Sequence, residues 1–151
     1  MTLMATDKTG TLTEGSMRVA GIWTPSDRDE AALWPALALC NDAEPAAPAG
    51  PAPGGRTAEL AGRPHGDPME VAMLEAAVEH GVDVHHLRAE WPRIDEEPFD
   101  RVRRSMTVTC RGSAGTWTIR KGAPEVIIDS GAVDDAPALL EGARRQAARL
   151  A

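Results

Sequence analysis

Two β-rich runs around a short glycine-containing turn restrict the possible folds of this chain more than any other feature. The runs are RSMTVTC at residues 104–110 and GTWTIRK at residues 115–121, and the sequence RGSAG at residues 111–115 supplies the turn. Such runs on both sides of a turn predict a β-hairpin. Most of the remaining segments have helical patterns, so we predict an α/β (α+β) fold in which helices flank an antiparallel β-sheet.

The segment GDPMEVAMLEAAVEHG contains the best-marked helix of the chain. Asp67 suits the N-cap position, Pro68 suits the first helical position, and Gly81 suits the end of the helix. Glu70 lies three residues after the cap and completes a capping-box pattern. We therefore predict a helix between Asp67 and Gly81.

Weaker patterns complete the secondary-structure prediction. The stretch after Gly81 is predicted to be rich in turns, including the pair His85-His86. Residues 43–64 are rich in proline and glycine and contain almost no large apolar side chain, which predicts a flexible loop. The other predicted elements are strands at 1–6 and 17–23, a helix after Asp27 that Pro35 kinks or shortens, a short helix after Ala123, and a helix from Pro137.

Composition restricts the class of protein. With 151 residues, 42% of them apolar and 26% charged, the chain has the size and composition of one globular domain. No apolar run approaches the ~20 residues that a membrane-spanning helix needs, and the N-terminus lacks the pattern of a signal peptide. The net charge of −7 argues against a nucleic-acid partner. Cys40 and Cys110 are predicted to be reduced thiols of a cytosolic protein.

The stretch TDKTGTLTEG, residues 6–15, has two interpretations. It is a turn, since Gly, Asp and Thr are common turn residues, or it is a phosphate site in which Asp7 acts as a ligand or nucleophile. A glycine at the third position after such an aspartate lets backbone N–H groups and threonine hydroxyls face phosphate oxygens. The chain has no GxxxxGK[ST] loop and no GxGxxG motif after a strand, so those two nucleotide sites are excluded.

Five stretches resemble motifs of the P-type ATPases, the cation pumps that phosphorylate themselves on an aspartate. DKTGTLT is similar to the phosphorylation signature of the family, and CND at residues 40–42 matches a recurring family element. GDPME, EPFDRVRRSMTV and RKGAPEVI resemble motifs of the nucleotide-binding domain, in the same order along the chain. The last two motifs are closer to calcium-type and related pumps than to heavy-metal pumps, although the transported ion is not implied.

The resemblance implies roles for individual residues. Asp7 is the expected phosphoryl acceptor of the intact parent, together with Lys8 and Thr9, and Asp7 and Thr9 are expected to hold Mg²⁺. The remaining residues are expected to bind ATP: Glu70 near the adenine amino group, Phe99 stacked on adenine, Arg101 and Arg104 along the nucleotide, and Lys121 and Gly122 at the pocket.

Each of these residues also has a structural interpretation, which the sequence leaves open. Glu70 is explained by the capping box, Phe99 by a place in the core, and the arginines at 101, 103 and 104 by a solvated surface. The polar run beside Phe99 favours an exposed ring. Lys121 is one of only two lysines among sixteen basic residues, and it precedes a predicted helix N-terminus, which favours a phosphate or ribose site.

On the resemblance, residues 1–15 are a partial phosphorylation-domain strand with a hinge, and residues 16–151 are a C-terminally truncated nucleotide-binding domain. The parent is expected to lie in the cell membrane, with this domain on the cytoplasmic side and in contact with the phosphorylation, actuator and membrane domains. The piece itself is expected to be a soluble, cytoplasmic monomer without direct membrane contact, which binds ATP or ADP but neither pumps nor phosphorylates itself. The alternatives are a phosphatase of the haloacid dehalogenase type and a non-catalytic nucleotide-sensing module.

Overall fold

A computed structural model describes residues 17–46, 64–129 and 137–150 of the chain. These residues form five helices and three strands, with three helices before the strands and two after them. The elements are α1 Asp27–Leu39, α2 Pro68–Glu79, α3 Val84–Glu90, β1 Arg93–Asp100, β2 Ser105–Gly112, β3 Gly115–Gly122, α4 Pro124–Asp129 and α5 Pro137–Leu150.

The three strands form one antiparallel sheet in the order β1-β2-β3. The hairpin between β2 and β3 closes where Gly112 pairs with Gly115, so the strands continue further into the turn sequence than the pattern indicated. Side chains of β2 alternate, with Met106, Val108 and Cys110 buried on one face. The predicted antiparallel sheet with flanking helices is therefore confirmed.

Strand β1 was not predicted, because its sequence RIDEEPFD reads as a polar turn. Most of its side chains are exposed, so burial does not impose an alternating apolar pattern on it. Pro98 is tolerated because β1 has only one neighbouring strand among the described residues.

The predicted strand at residues 17–23 is wrong, since these residues form neither strand nor helix in the structure. Several of their apolar side chains are partly buried against helices instead of a sheet. Val19 and Ile22 pack on the cluster between α1 and α2, and Trp23 packs on the cluster between α4 and α5. The predicted strand at residues 1–6 lies outside the described residues.

Helices α1 and α2 follow their predicted signals closely. The Ser26 side chain caps the start of α1, and the helix continues past Pro35 to Leu39, so the proline does not shorten it. The Asp67 carboxylate caps α2 by accepting the N–H of Met69 at 2.9 Å. Beyond α2, the N–H of Val82 reaches the carbonyl of Ala77, a pattern typical of a glycine C-terminus.

The end of α2 and the start of α3 correct one prediction. Gly81 has a φ of +86°, the left-handed conformation that glycine adopts most readily. His85 and His86 do not lie in a turn: they belong to α3, and the Asp83 side chain caps this helix by accepting the His86 N–H at 3.0 Å. Asp83 supplied the N-cap signal, which the short apolar pattern of α3 did not reinforce.

Helix α1 joins the helical layer to the sheet. Its last turn places Leu39 and Cys40 in one buried cluster with the inward side chains of β2, and its other residues pack against α2 and α3. Burial raises the pKa of the Cys40 thiol from 9.0 to about 11. Cys40 and Cys110 are both buried free thiols, as predicted.

Two further observations concern the outline of the fold. Glu44 and His65 form an isolated antiparallel bridge, with backbone hydrogen bonds of 2.8 and 3.0 Å, so the ends of the predicted 43–64 loop are joined. The remainder of that predicted loop, residues 47–63, lies outside the described residues. Among the described helices, none combines the length and apolar character needed to cross a membrane.

Candidate functional site

The N-terminal turn of α2, the end of β3 and the turn after α1 meet at one place. Lys121 pairs with Met106 across the β2–β3 ladder, so its side chain leaves the sheet on the buried face, at the edge of the core. There the Lys121 ammonium donates a hydrogen bond to the Glu70 carboxylate. The two side chains are only 16% and 13% exposed, so the ion pair is largely shielded from solvent.

Glu70 is not the second half of a capping box, which corrects the structural interpretation of this residue. A capping-box glutamate reaches back to the backbone N–H of the N-cap residue. Here Glu70 Oε1 accepts from Lys121, and Oε2 accepts the backbone N–H of Asp42 at 2.5 Å. The carboxylate is therefore committed to tertiary contacts and not to its own helix.

The turn after α1, which we call the CND turn (Cys40–Asp42), holds Glu70 at two points. Besides the Asp42 N–H on the carboxylate, the Asn41 side-chain amide donates to the Glu70 backbone carbonyl at 2.8 Å. Asn41 is fully buried, and its side-chain oxygen accepts the Ala43 N–H at 2.9 Å. The CND turn was matched as a motif in the sequence, but nothing in the sequence predicted that it contacts Glu70.

Arg93 fixes the CND turn from the sheet side. Its guanidinium donates to the carbonyls of Leu39 and Asn41, at 2.9 and 2.7 Å, and to Asp42 Oδ1 at 2.8 Å. It also pairs with Glu96 at 3.1 Å. Burial lowers the pKa of Arg93, but the hydrogen bonds with Asp42 and Glu96 outweigh burial and raise it overall.

Arg88 fixes the same turn from α3. It donates to the carbonyls of Ala38, Asn41 and Ala43 at 2.8 to 3.2 Å, and burial lowers its pKa. Arg88 and Arg93 thus satisfy carbonyls at the end of α1, where cations also interact favourably with the helix dipole. Sequence analysis missed both arginines, because the carbonyls that they bind lie 45 to 54 residues away along the chain.

Phe99 lies at the same end of the sheet as Lys121. Asp100 pairs with Ser105, and Ser105 pairs with Gly122, so the Cα atoms of Asp100 and Gly122 are separated by two strand spacings, roughly 10 Å. Phe99 and Lys121 directly precede these two residues, and Phe99 lies where the β1 register shifts. The Phe99 ring is 57% exposed. The interpretation of Phe99 as a core residue is therefore wrong, and the exposed-ring interpretation is confirmed.

Arg101, Arg103 and Arg104 lie in a turn between β1 and β2. The alternation of side chains along a strand therefore does not determine which face of the sheet each of them occupies. The Asp100 carboxylate accepts the N–H groups of Val102 and Arg103, at 2.9 and 2.7 Å. The hydrogen bond from the Arg103 N–H is the main reason that the pKa of Asp100 is lowered. Arg101 is exposed in this turn, two residues after Phe99 in the chain.

Arg104 and Gly122 are brought together, although the Arg104 side chain points elsewhere. The Arg104 guanidinium pairs with Glu125 of α4 at 2.5 Å, and its carbonyl accepts the Ala123 N–H at 3.0 Å. A Cβ atom at Gly122 would lie 2.6 Å from that carbonyl oxygen and 2.6 Å from the Ser105 Cβ. Glycine at this position is therefore required by the close approach of β2 itself.

The residues expected to carry phosphoryl transfer, Asp7, Lys8 and Thr9, lie outside the described residues. Within the described ranges, no group of three or more His, Cys, Asp or Glu side chains is arranged to hold a metal ion. The described site therefore consists of an exposed aromatic ring, a shielded ammonium–carboxylate pair, and the buried turn that holds the carboxylate.

Comparison with known proteins identifies similar proteins of one family. The family model described as P-type ATPase, cytoplasmic domain N, matches residues 31–132. A probable cation-transporting P-type ATPase of Mycoplasma pneumoniae is 32% identical over 126 residues, 83% of this chain and 12% of that protein. Calcium-transporting ATPase 1 of Lactococcus lactis is 32% identical over 138 residues, 84% of this chain and 14% of that protein.

A third relative extends the comparison slightly. Probable cation-transporting ATPase F of Mycobacterium tuberculosis is 31% identical over 146 residues, 85% of this chain and 16% of that protein. The chain thus spans between 12% and 16% of the length of these curated relatives. The DKTGT motif at residues 7–11 precedes the range that the family model matches.

Proposed function

Because this chain belongs to the P-type ATPase family, as part of the cytoplasmic domain N of such a protein, we propose that it binds the adenosine part of ATP. Phe99, Glu70 and Lys121 are the principal contacts, with Arg101 beside them. Arg104 and Gly122 line the same end of the sheet. The proposal rests on one observation: an exposed Phe99 and a shielded Lys121–Glu70 pair occur at the same end of the sheet, where the strands that carry Phe99 and Lys121 lie two strand spacings apart.

The chemistry of these side chains matches the parts of an adenosine. Phe99 is more than half exposed as a residue, so its phenyl ring can offer a stacking face for a purine, and such stacking contributes about 1–3 kcal/mol per base. Each Glu70 carboxylate oxygen accepts one hydrogen bond within the protein, from Lys121 or from Asp42, and keeps a further lone pair that can accept from an exocyclic amino group. The Lys121 ammonium has three donors, of which Glu70 uses one, so it can donate to a ring nitrogen or an oxygen of the nucleotide.

Replacing Phe99 by alanine is expected to weaken ATP binding about tenfold to a hundredfold, the equivalent of one lost stacking contact. Calorimetric titration of ATP into the 151-residue chain measures this. Ile94→Ala is the matched control, because Ile94 is also an exposed apolar residue of β1, 49% exposed, but lies at the other end of the strand. Equal affinity of the two variants would contradict the stacking role of Phe99.

For the whole protein, we propose ATP-driven cation transport through an aspartyl-phosphate on Asp7. The parent lies in the cell membrane with this domain on the cytoplasmic side, and the domain works with the phosphorylation, actuator and membrane domains. Closure of the domain would carry the terminal phosphate of bound ATP to the Asp7 carboxylate. Mg²⁺ offsets phosphate charge in such transfers; its expected ligands, Asp7 and Thr9, lie outside the described residues.

We further propose that the 151-residue chain alone, a monomer in solution, binds nucleotide without phosphorylating itself. The sequence contains no TGD and no GDGxND motif, the two stretches that resemblance to the family assigns to the remainder of the phosphorylation site. Without them Asp7 lacks the fixed charges that supply most of the rate. Incubation with ATP labelled in the terminal phosphate is expected to leave no acid-stable, hydroxylamine-sensitive label. Label that disappears in Asp7→Asn would refute this.

A further inference from the structure

Asn41 is one of two buried polar residues in the described part of the chain, and both ends of its side-chain amide are used. The side-chain oxygen accepts the N–H of Ala43, which closes the CND turn on itself. The side-chain nitrogen donates to the Glu70 carbonyl in the first part of α2. An aspartate or a leucine of similar size would lose one or both contacts, so the site specifically requires an amide.

The turn that Asn41 closes presents its own backbone to the Glu70 carboxylate. The Asp42 N–H donates to Glu70 Oε2, while Asn41 holds the carbonyl of the same glutamate. Glu70 is thereby fixed at its main chain and at one carboxylate oxygen. Its other carboxylate oxygen accepts from Lys121, so the position of the ammonium follows from the position of the turn.

The CND turn is itself anchored to the element that carries Phe99. Arg93, the first residue of β1, and Arg88 of α3 both donate to the Asn41 carbonyl, at 2.7 and 2.8 Å. Phe99 lies near the opposite end of β1. The turn is therefore held in a fixed position relative to the sheet. A turn that is held in this way can position a side chain on another element, here Lys121 of β3.

We propose that Asn41 is a positioning residue for Lys121: it fixes the turn that fixes Glu70, and Glu70 fixes the ammonium. The effect of Asn41 on nucleotide affinity rests on the proposed function. Its effect on the Lys121 ammonium does not, because that effect concerns the protein without ligand. This difference allows the two hypotheses to be tested separately.

The first experiment needs no nucleotide and uses the fact that the chain contains only two lysines, Lys8 and Lys121. Labelling lysine with ¹³C at Cε gives two methylene resonances, which Lys121→Met assigns. We expect Asn41→Ala to shift the Lys121 resonance. An unshifted Lys121 resonance in a folded Asn41→Ala protein would overturn the proposal whether or not the protein binds ATP.

The second experiment is a double-mutant cycle on ATP affinity with Asn41→Ala and Lys121→Met. In the wild-type background Asn41→Ala is expected to weaken ATP binding by about tenfold, within the range of couplings between residues in one network. In the Lys121→Met background it is expected to have almost no further effect. Equal losses in both backgrounds would overturn the proposal, since Asn41 would then act on the fold and not through Lys121.

Stability is measured alongside, by thermal unfolding of each variant. If Asn41→Ala does not fold, Asn41→Ser takes its place in both experiments, because its hydroxyl retains a donor near the turn. Failure of the wild-type chain to bind ATP would refute the proposed nucleotide function, while the resonance of Lys121 would still decide the role of Asn41.

Discussion

Replacement of Glu70 by alanine is expected to lower the free energy of unfolding by about 3 kcal/mol, because it leaves a shielded ammonium without its carboxylate. Lys121 is 16% exposed, so water compensates only part of the loss. The Asp42 N–H loses its acceptor in the same variant. Urea unfolding measures the change. Glu79→Ala is the control, because Glu79 is an exposed residue of the same helix, and a change within about 0.5 kcal/mol is expected there.

A second variant separates the ion pair from simple loss of packing. Replacing both Glu70 and Lys121 by methionine removes the two charges together and keeps side chains of similar length. Apolar replacement of a complete buried pair is often nearly neutral, so this double variant is expected to be more stable than Glu70→Ala while binding ATP weakly. If Glu70→Ala is as stable as Glu79→Ala, the pair is screened by solvent and does not hold α2 to the sheet.

Replacement of Gly122 by alanine is expected to cost about 2–3 kcal/mol of stability, because the added methyl group overlaps backbone that cannot rotate away. The new Cβ would lie 2.6 Å from the Arg104 carbonyl oxygen and from the Ser105 Cβ. Relief requires β3 to move away from β2, which would displace Lys121, the residue before Gly122. ATP binding is therefore expected to weaken together with stability.

Gly21→Ala is the matched control for Gly122→Ala. A Cβ at Gly21 meets no atom within 4 Å, and its backbone is not in the left-handed region. The two variants make the same chemical change, so a difference in unfolding free energy measures the close approach at Gly122. Equal stabilities of Gly122→Ala and Gly21→Ala would show that β3 can move away from β2 without cost. The position of Lys121 relative to Phe99 would then not be fixed by the packing at Gly122.

Local signals in the sequence predicted the elements that depend on local interactions. Asp67, Pro68 and Gly81 define the ends of α2 through contacts within a few residues, and the structure confirms these ends. The β2–β3 hairpin was predicted for the same reason, since its strands are joined by a short turn. Strand β1 was missed because an exposed edge strand need not carry an apolar pattern.

The site was predicted only in part, because its residues are joined by contacts between distant segments. Resemblance to a family identified Glu70, Phe99 and Lys121, but the carboxylate of Glu70 was equally well explained by its own helix. That alternative failed because Lys121 and Asp42, 51 and 28 residues away, use both oxygens. Arg88 and Arg93 were missed because they hold the turn through its main-chain carbonyls, which every residue possesses.

The bridge between Glu44 and His65 has a consequence for changes in the length of the segment between them. The bridge joins the two ends of the intervening segment a few residues from the CND turn. Beside it, Arg88 donates a hydrogen bond to the carbonyl of Ala43. The entropic cost of holding the two ends of a flexible segment together grows only with the logarithm of its length. We therefore expect insertions and deletions between these two residues to leave the Lys121 ammonium and the Phe99 ring in place.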